Sequence, residues 1–401
     1  IENEDLLRKA IIYEMGKTYE GSKEDIESLV NSLDFYPKAM EENFLDSKID
    51  DKENTHNHTI KNYPVGVVVA YLAWNFPLLN LAFKIGPALA SGCSIIIKPS
   101  EESPVSAYII GKILNEINFP PGVVNIICGE PEIVATTLSK SKVPRLITMI
   151  GSTTTAKKVF SDSSSSIKRL SMELGGNAPF IVFDDADLNA ALDLAIGIKF
   201  GNSGQICVAA NRFFIHKNIY DIFLEKYLDR VNNLKLGFGE NETPDMGPLI
   251  TSKSRDRIID LIEDAVKNGA KLECGGKIPD NFSEGNWLEP TVLTNVNHKM
   301  RIFNEEIFGP VASIMSFSDD EEVLTLANKT DYGLASYIFT TSKERINLFS
   351  ENLEFGEVQV NGIKYAIYLP HGGIKESGIG HDCSHLALND YLTKKRISIA
   401  I

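Results

Sequence analysis

VGVVVAYLAWNFPLLNLAFKIGPALASGCSIIIKPS, residues 65–100, decides the fold. A β-branched run, Val65–Leu72, is followed by a helical pattern over Leu78–Ser91 and a second β-branched run, Ser94–Lys98. Strands alternating with helices pair in parallel and build an α/β sheet. The same texture continues through strands at Val123–Cys128, Arg145–Ile150, Arg169–Glu173 and Phe180–Phe183, with a helix over Pro104–Asn118. A further alternating region runs from Ala186 to near Gly362. Upstream, residues 1–33 carry apolar positions at helix period, and residues 41–62 are polar and read as a linker or a surface hairpin. Ser161–Ser166 (SDSSSS) reads as a solvated loop.

A chain of 401 residues is too long for one small core, so two or more domains are expected. The net charge of −14 argues against nucleic acid or an anionic membrane surface as partner. No apolar run reaches the roughly 18–20 residues of a membrane span. Cys93, Cys128, Cys207, Cys274 and Cys383 are widely spaced and form neither a disulfide framework nor a zinc motif. No metal is expected, and the thiols fit a reducing compartment such as the cytoplasm.

Cys207 sits in Phe200-Gly-Asn-Ser-Gly-Gln-Ile-Cys207, among turn-forming polar residues. Cysteine is usually a small buried hydrophobe, but these neighbours point to a nucleophile on a tight turn. A thiol needs a base or a positive field to become useful. Glu173, in Leu170-Ser-Met-Glu-Leu-Gly-Gly176, is a carboxylate placed to supply that base. Together they suggest covalent chemistry at a carbonyl.

Four further blocks admit two readings each. Asn75, in Trp74-Asn-Phe-Pro77, either aims its amide into a cleft as an oxyanion donor or caps a helix. Lys98 and Glu101 follow a strand end, where they grip a ribose or form a solvated pair. Gly151-Ser152-Thr153 opens a helix whose N-terminus either receives a phosphate or is capped by Ser152. Glu306 and Phe308 precede a Gly-Pro break and either face a sugar and a flat ring or make a surface turn. No GxGxxG follows a strand.

In this order the blocks resemble the NAD(P)-dependent aldehyde dehydrogenase superfamily, over essentially the whole chain. The resemblance also takes in Phe83-Lys-Ile-Gly-Pro-Ala-Leu89 and the tail Pro370-His-Gly-Gly-Ile-Lys-Glu-Ser-Gly-Ile-Gly380. It implies a Rossmann-like coenzyme domain (1–45 and 65–175), an α/β catalytic domain (176–376), a return segment (377–391) and a small β oligomerisation arm (46–64 and 392–401). Cys207 would attack an aldehyde, Asn75 would hold the oxyanion, and Glu173 would activate water. Lys84 and Asp382 match positions linked to proton relay. Trp74, Lys98, Ser100, Glu101, Gly129, Gly151, Ser152, Leu174, Glu306 and Phe308 match coenzyme contacts. A homodimer or homotetramer is implied. A CoA-acylating enzyme and a catalytically silent scaffold are the competing readings.

Several positions depart from the family pattern. The N-terminus is shorter than in a typical member, so the chain reads as part of a longer protein. Ile150 replaces a threonine, Ala156 a glycine, His371 a phenylalanine, and His381-Asp382 an Arg-Glu pair. Cys207-Val-Ala-Ala-Asn-Arg212 looks like succinic semialdehyde dehydrogenases. Yet Phe83 and Gly201 stand where that subfamily carries carboxylate-binding arginines, and a carboxylate wants a charged partner. A small neutral or aliphatic aldehyde is therefore expected, with succinic semialdehyde as the alternative if Lys364 supplies the cation. Glu101 would repel a 2′-phosphate, which favours NAD over NADP.

Overall fold

The computed structural model describes residues 2–240 and 243–401. Two parallel-rich sheets and a short antiparallel one carry the architecture. The first sheet orders its strands Gly378–Ile379, Arg169–Glu173, Leu146–Ile150, Val67–Tyr71, Ser94–Lys98 and Val124–Ile126. Only the two-residue edge strand Gly378–Ile379 is antiparallel. Helices Glu4–Met15, Tyr19–Asn43, Pro77–Ala90 and Val105–Glu116 contribute to the core on one face, and Thr153–Ser163 packs Ala156 and Val159 on the other. Burial on both faces is why these strands read as continuous apolar runs rather than alternating ones.

The second sheet has seven strands, with Val311–Phe317, Ala210–His216 and Ala178–Val182 at its centre. Its two faces carry separate apolar clusters, one around Phe183, Phe214 and Ile258, the other around Phe180, Phe213 and Tyr227. The third sheet is an arm: Ser47–Ile49 and Leu392–Ala400 flank His56–Pro64, all antiparallel.

The strand positions in the sequence reading are met to within two residues at each end. The polar stretch at 41–62 is a hairpin, although helix Tyr19–Asn43 runs into its start. The serine run departs from expectation. Ser161–Ser163 close the helix, and Ser163 is buried with its hydroxyl donating to Val159 O at 2.6 Å. That backbone bond hides a residue that composition alone marks as solvated.

Helix Pro77–Ala90 brings the chain to the site, and its own N-cap residue, Phe76, provides no side-chain cap. The cap comes from elsewhere. Asp25, fully buried on helix Tyr19–Asn43, accepts from Leu78 N at 2.9 Å and Leu79 N at 3.0 Å. Its other oxygen takes Lys17 Nζ at 2.5 Å, and that ammonium lies 3.3 Å from the centre of the Phe76 ring. Two helix amides and one buried cation thus depend on a single carboxylate. Asp25→Ala leaves all three unpaired, and an expected loss of about 3–5 kcal/mol follows from breaking a buried pair. Denaturant unfolding of variant and parent, compared at equal m-value, checks it.

Candidate active site

In the first sheet the chain runs outward from Val67–Tyr71 in one direction and resumes on the opposite side at Leu146–Ile150. Ligands of open α/β sheets bind outside the carboxyl ends of strands at such a switch point. Trp74 and Asn75 follow one of these strands, and Gly151 and Ser152 follow the other. A cleft of about 2190 Å³ opens there and is closed on its far side by the second sheet's Cys207, Glu306 and Phe308. Pockets for single drug-sized ligands measure roughly 300–1,000 Å³, so this one has room for two reactants.

The turn that leads to Cys207 is strained. Between helix Leu188–Phe200 and strand Ala210–His216, Asn202, Ser203 and Gly204 take φ of +50°, +57° and +71°. Left-handed backbone costs a non-glycine residue roughly 1–2 kcal/mol. Side chains hold it in place. Asn202 Nδ2 donates to Asn75 O at 3.1 Å and Gln205 O at 3.2 Å, and Ser203 Oγ donates to Gly247 O at 2.7 Å. Gln205 Oε1 accepts from Ile250 N at 3.0 Å. Cys207 follows, half-buried at the cleft wall.

Glu173 ends strand Arg169–Glu173, and Gly175-Gly176 explain why its loop can sit beside the thiol. A Cβ on Gly176 would press into Cys207 O, and one on Gly175 would come within 2.6 Å of Glu306 Oε2. Gly176 N meanwhile donates to Glu306 Oε1 at 2.8 Å. Burial, then interaction with Glu173, pushes the Cys207 thiol up to about 12, with His371 opposing. The thiol therefore holds its proton at neutral pH and needs a base.

His371 is the residue the sequence reading did not place in the site. Its Nε2 lies 3.4 Å from Glu173 Oε1, and its Nδ1 lies 2.6 Å from Glu357 Oε1. Burial works against the imidazolium, but its close contacts with Cys207, Glu173 and Glu357 outweigh it and raise its pKa well above the usual range. The one available signal was the histidine standing where the family pattern has phenylalanine. Glu357, on strand Glu357–Val360, left no signal at all, since its role depends on a partner 14 residues away in the chain.

Asn75 is buried and does not cap the helix, whose N-cap is Phe76. Its Oδ1 accepts from Asn80 Nδ2 at 3.3 Å, and its Nδ2 donates to Gln205 O at 3.1 Å. That network orients the amide and leaves the second N–H of Nδ2 for the cleft. Lys84 and Asp382 meet at 2.6 and 2.7 Å, both buried, but neither lines the cleft. Burial raises the Asp382 carboxyl even though Lys84 opposes it. The pair braces the segment behind His371, because Asp382 exchanges backbone bonds of 2.7 and 2.8 Å with His371.

The expected coenzyme residues separate into two groups. Trp74, Gly151, Ser152, Leu174, Glu306 and Phe308 line the cleft, and the Trp74 and Phe308 rings meet edge to face at 5.4 Å. Glu306 turns inward rather than making a surface turn, and burial pushes its carboxyl up to about 7. Lys98, Ser100, Glu101 and Gly129 lie beyond the cleft lining, at the ends of the adjoining strands. Lys98 is buried with Nζ 3.3 Å from the largely exposed Glu101 Oε2. The Ser152 side chain caps helix Thr153–Ser163 through Thr155 N, leaving the first amides of that helix for an anion. A helix N-terminus, an ammonium–carboxylate pair two strands away and an aromatic edge on the cleft match the phosphates, ribose and ring of a dinucleotide. The residues present fit that group.

Residues 1–397 match the Aldehyde dehydrogenase family. The glutarate-semialdehyde dehydrogenase of Pseudomonas putida is 37% identical over 100% of this chain and 83% of its own length. A probable NADP(+) succinate-semialdehyde dehydrogenase of Sinorhizobium fredii is 39% identical over 100% and 81%. The crystal structure of succinate-semialdehyde dehydrogenase from Burkholderia pseudomallei superposes with a TM-score of 0.97 at 36% identity, covering 100% of this chain and 83% of that one.

The close approach at Gly176 sets a sharp expectation. Gly176→Ala must displace the Cys207 carbonyl, and misplacement by about 1 Å costs on the order of 100-fold in rate. Aldehyde turnover by the variant, measured alongside far-UV circular dichroism to confirm native folding, checks it.

Proposed function

The chain belongs to the aldehyde dehydrogenase family, and from that premise we propose that it oxidises a small neutral or aliphatic aldehyde to the acid with NAD, NADP being the second acceptor. The observation that carries this reading is a thiol, a carboxylate and an oriented amide, Cys207, Glu173 and Asn75, on one cleft that reaches the switch point of the first sheet. Cys207 Sγ adds to the aldehyde carbon once its proton is taken, forming a C–S bond and a thiohemiacetal. Asn75 Nδ2 and the Cys207 N–H donate to the oxygen as it becomes an anion. A bound nicotinamide supplies the hydride acceptor at this centre. Glu173 takes a proton from the water that adds to the resulting thioester, the C–S bond breaks, and the acid leaves. Lys98 and Glu101 hold the adenine-side ribose, and the first turn of helix Thr153–Ser163 holds the pyrophosphate.

A dependence on water rather than CoA follows from the buried Glu173 carboxylate beside the thiol. The segments assigned from the sequence as coenzyme domain, catalytic domain, return segment and arm keep those roles in this proposal. The arm's outer strands expose most of their length, and a second copy covering such edges gives a closed homodimer or a dimer of dimers. No helix among the described residues is long and apolar enough to cross a membrane. All five cysteines are free, which fits the cytoplasm as the compartment.

A semialdehyde is the second reading, and Lys364 favours it. Lys17, Lys157 and Lys375 on the cleft are paired with Asp25, Glu376 and Glu354, and Arg257 donates to the carbonyls of Glu306 and Ile307. Lys364 lines the cleft with no ion pair among the described residues, so it is the cation open to a substrate carboxylate. The semialdehyde names of the relatives agree with it. Phe83 and Gly201, also on the cleft, offer a carboxylate nothing.

Formation of reduced nicotinamide, followed by absorbance over a panel of neutral aldehydes and succinic semialdehyde, separates the two. The first reading expects the highest kcat/KM for a neutral aldehyde and no response to Lys364→Ala. A preference for succinic semialdehyde, with KM raised roughly tenfold or more by Lys364→Ala, replaces it with the second. Asn75→Ala is expected to lower kcat about 100- to 1,000-fold with either substrate. For the coenzyme, Glu101→Gln removes a repulsion of about 1 kcal/mol or more, so the NAD-over-NADP preference is expected to fall roughly fivefold to tenfold.

A further inference from the structure

We propose that Glu173, Cys207 and His371 form a reversible inhibitory site for a borderline-soft divalent cation, Zn²⁺, with Glu357 as its outer support. One carboxylate oxygen, one thiol sulfur and one ring nitrogen all lie within 4.8 Å of each other. Such a set is what zinc takes, at about 2.0–2.3 Å from each ligand atom. The ligand atoms on two edges of that tetrahedron then stand about 3.3–3.6 Å apart. The 3.4 Å between His371 Nε2 and Glu173 Oε1 already has that spacing.

Two independent observations point to a ligand here. Glu173 Oε1 is buried, and its one close polar neighbour, His371 Nε2 at 3.4 Å, makes no hydrogen bond to it. A buried carboxylate oxygen left without a donor is costly, and a cation satisfies it. The second observation is the 2.6 Å contact between His371 Nδ1 and Glu357 Oε1. A carboxylate on one ring nitrogen fixes the ring and turns the other nitrogen toward the metal, the usual outer arrangement for zinc-bound histidine. The Phe83 and Tyr365 rings pack against the His371 ring, each with its centroid 6.1 Å away.

Zinc binding displaces the thiol proton and the Nε2 proton to solvent and forms bonds to Sγ, Nε2 and Oε1. A fourth ligand would be water. Sγ is then a ligand and no longer a nucleophile, so the occupied enzyme is silent until a chelator removes the metal. Local spacing could not reveal this set, because its members come from residues 173, 207 and 371. The inference stands on the cluster itself and does not need the aldehyde reading.

The test is zinc binding by the purified chain without coenzyme, using ZnCl2 alone in a competition titration. One Zn²⁺ per chain with Kd below about 1 µM is expected. Cys207→Ala and His371→Phe are each expected to weaken it on the order of 100-fold. Zinc should also block alkylation of Cys207 by iodoacetamide, and EDTA should restore it. Should His371→Phe fail to fold, Co²⁺ added to the unaltered protein decides. A thiolate-to-cobalt charge-transfer band with tetrahedral d–d bands supports the site, and their absence overturns it. Zinc binding that His371→Phe leaves as tight as in the parent overturns it as well.

Discussion

Everything at the centre of this molecule depends on how closely two backbones approach each other at Gly176 and Cys207. The turn before Cys207 enters from the second sheet with Asn202, Ser203 and Gly204 in left-handed conformations. It meets a loop from the first sheet that carries no Cβ at the point of contact. Because Gly176 touches Cys207 O, Glu173 three residues earlier comes beside the thiol. Because Gly176 N binds Glu306, the same contact fixes a carboxylate on the coenzyme side of the cleft. One steric condition therefore aligns the acid, the thiol and the second sheet. The strain at Asn202 and Ser203 is tolerated because each side chain donates to a carbonyl of a different segment. That ties the turn's conformation to the position of Asn75.

Buried charge sets the second level of organisation. Asp25 supplies the cap that helix Pro77–Ala90 lacks, and Lys17 neutralises it. About two turns along the same helix, Lys84 meets Asp382 from the C-terminal part of the chain. The helix that follows Asn75 is thus pinned by ionic contacts at its start and at its middle, one from residues 17 and 25 and one from residue 382. Asp382 in turn is bridged to His371. Segments far apart in sequence converge on the thiol through Asp25, Lys84 and Asp382, none of which lines the cleft.

The sheet was legible because its strands are buried on both faces and so read as uninterrupted apolar runs, with helices at regular spacing between them. Cys207, Glu173, Asn75 and Glu306 stood out because unusual polar residues sit in turn-rich or apolar surroundings, and the fold brings them to one cleft. Ser161–Ser163 were misread because a hydroxyl can be satisfied by its own helix, which composition does not reveal. Lys98, Ser100, Glu101 and Gly129 belong to strand ends beside the cleft, a distinction that needs the sheet order. Glu357, Asp25 and Lys17 were beyond reach, and the role of His371 with them, for a common reason. Each acquires its meaning from a partner that only the tertiary fold supplies.

The account's central claim is that Cys207 carries the substrate carbon covalently and that Glu173 governs its release. Rapid quenching of the enzyme with aldehyde and NAD, followed by mass spectrometry of the peptide containing Cys207, tests it most directly. An acyl group on Cys207 that depends on NAD and accumulates in Glu173→Gln is the expected result. Steady turnover with no adduct on Cys207 in either protein, or an adduct on another residue, would contradict the account.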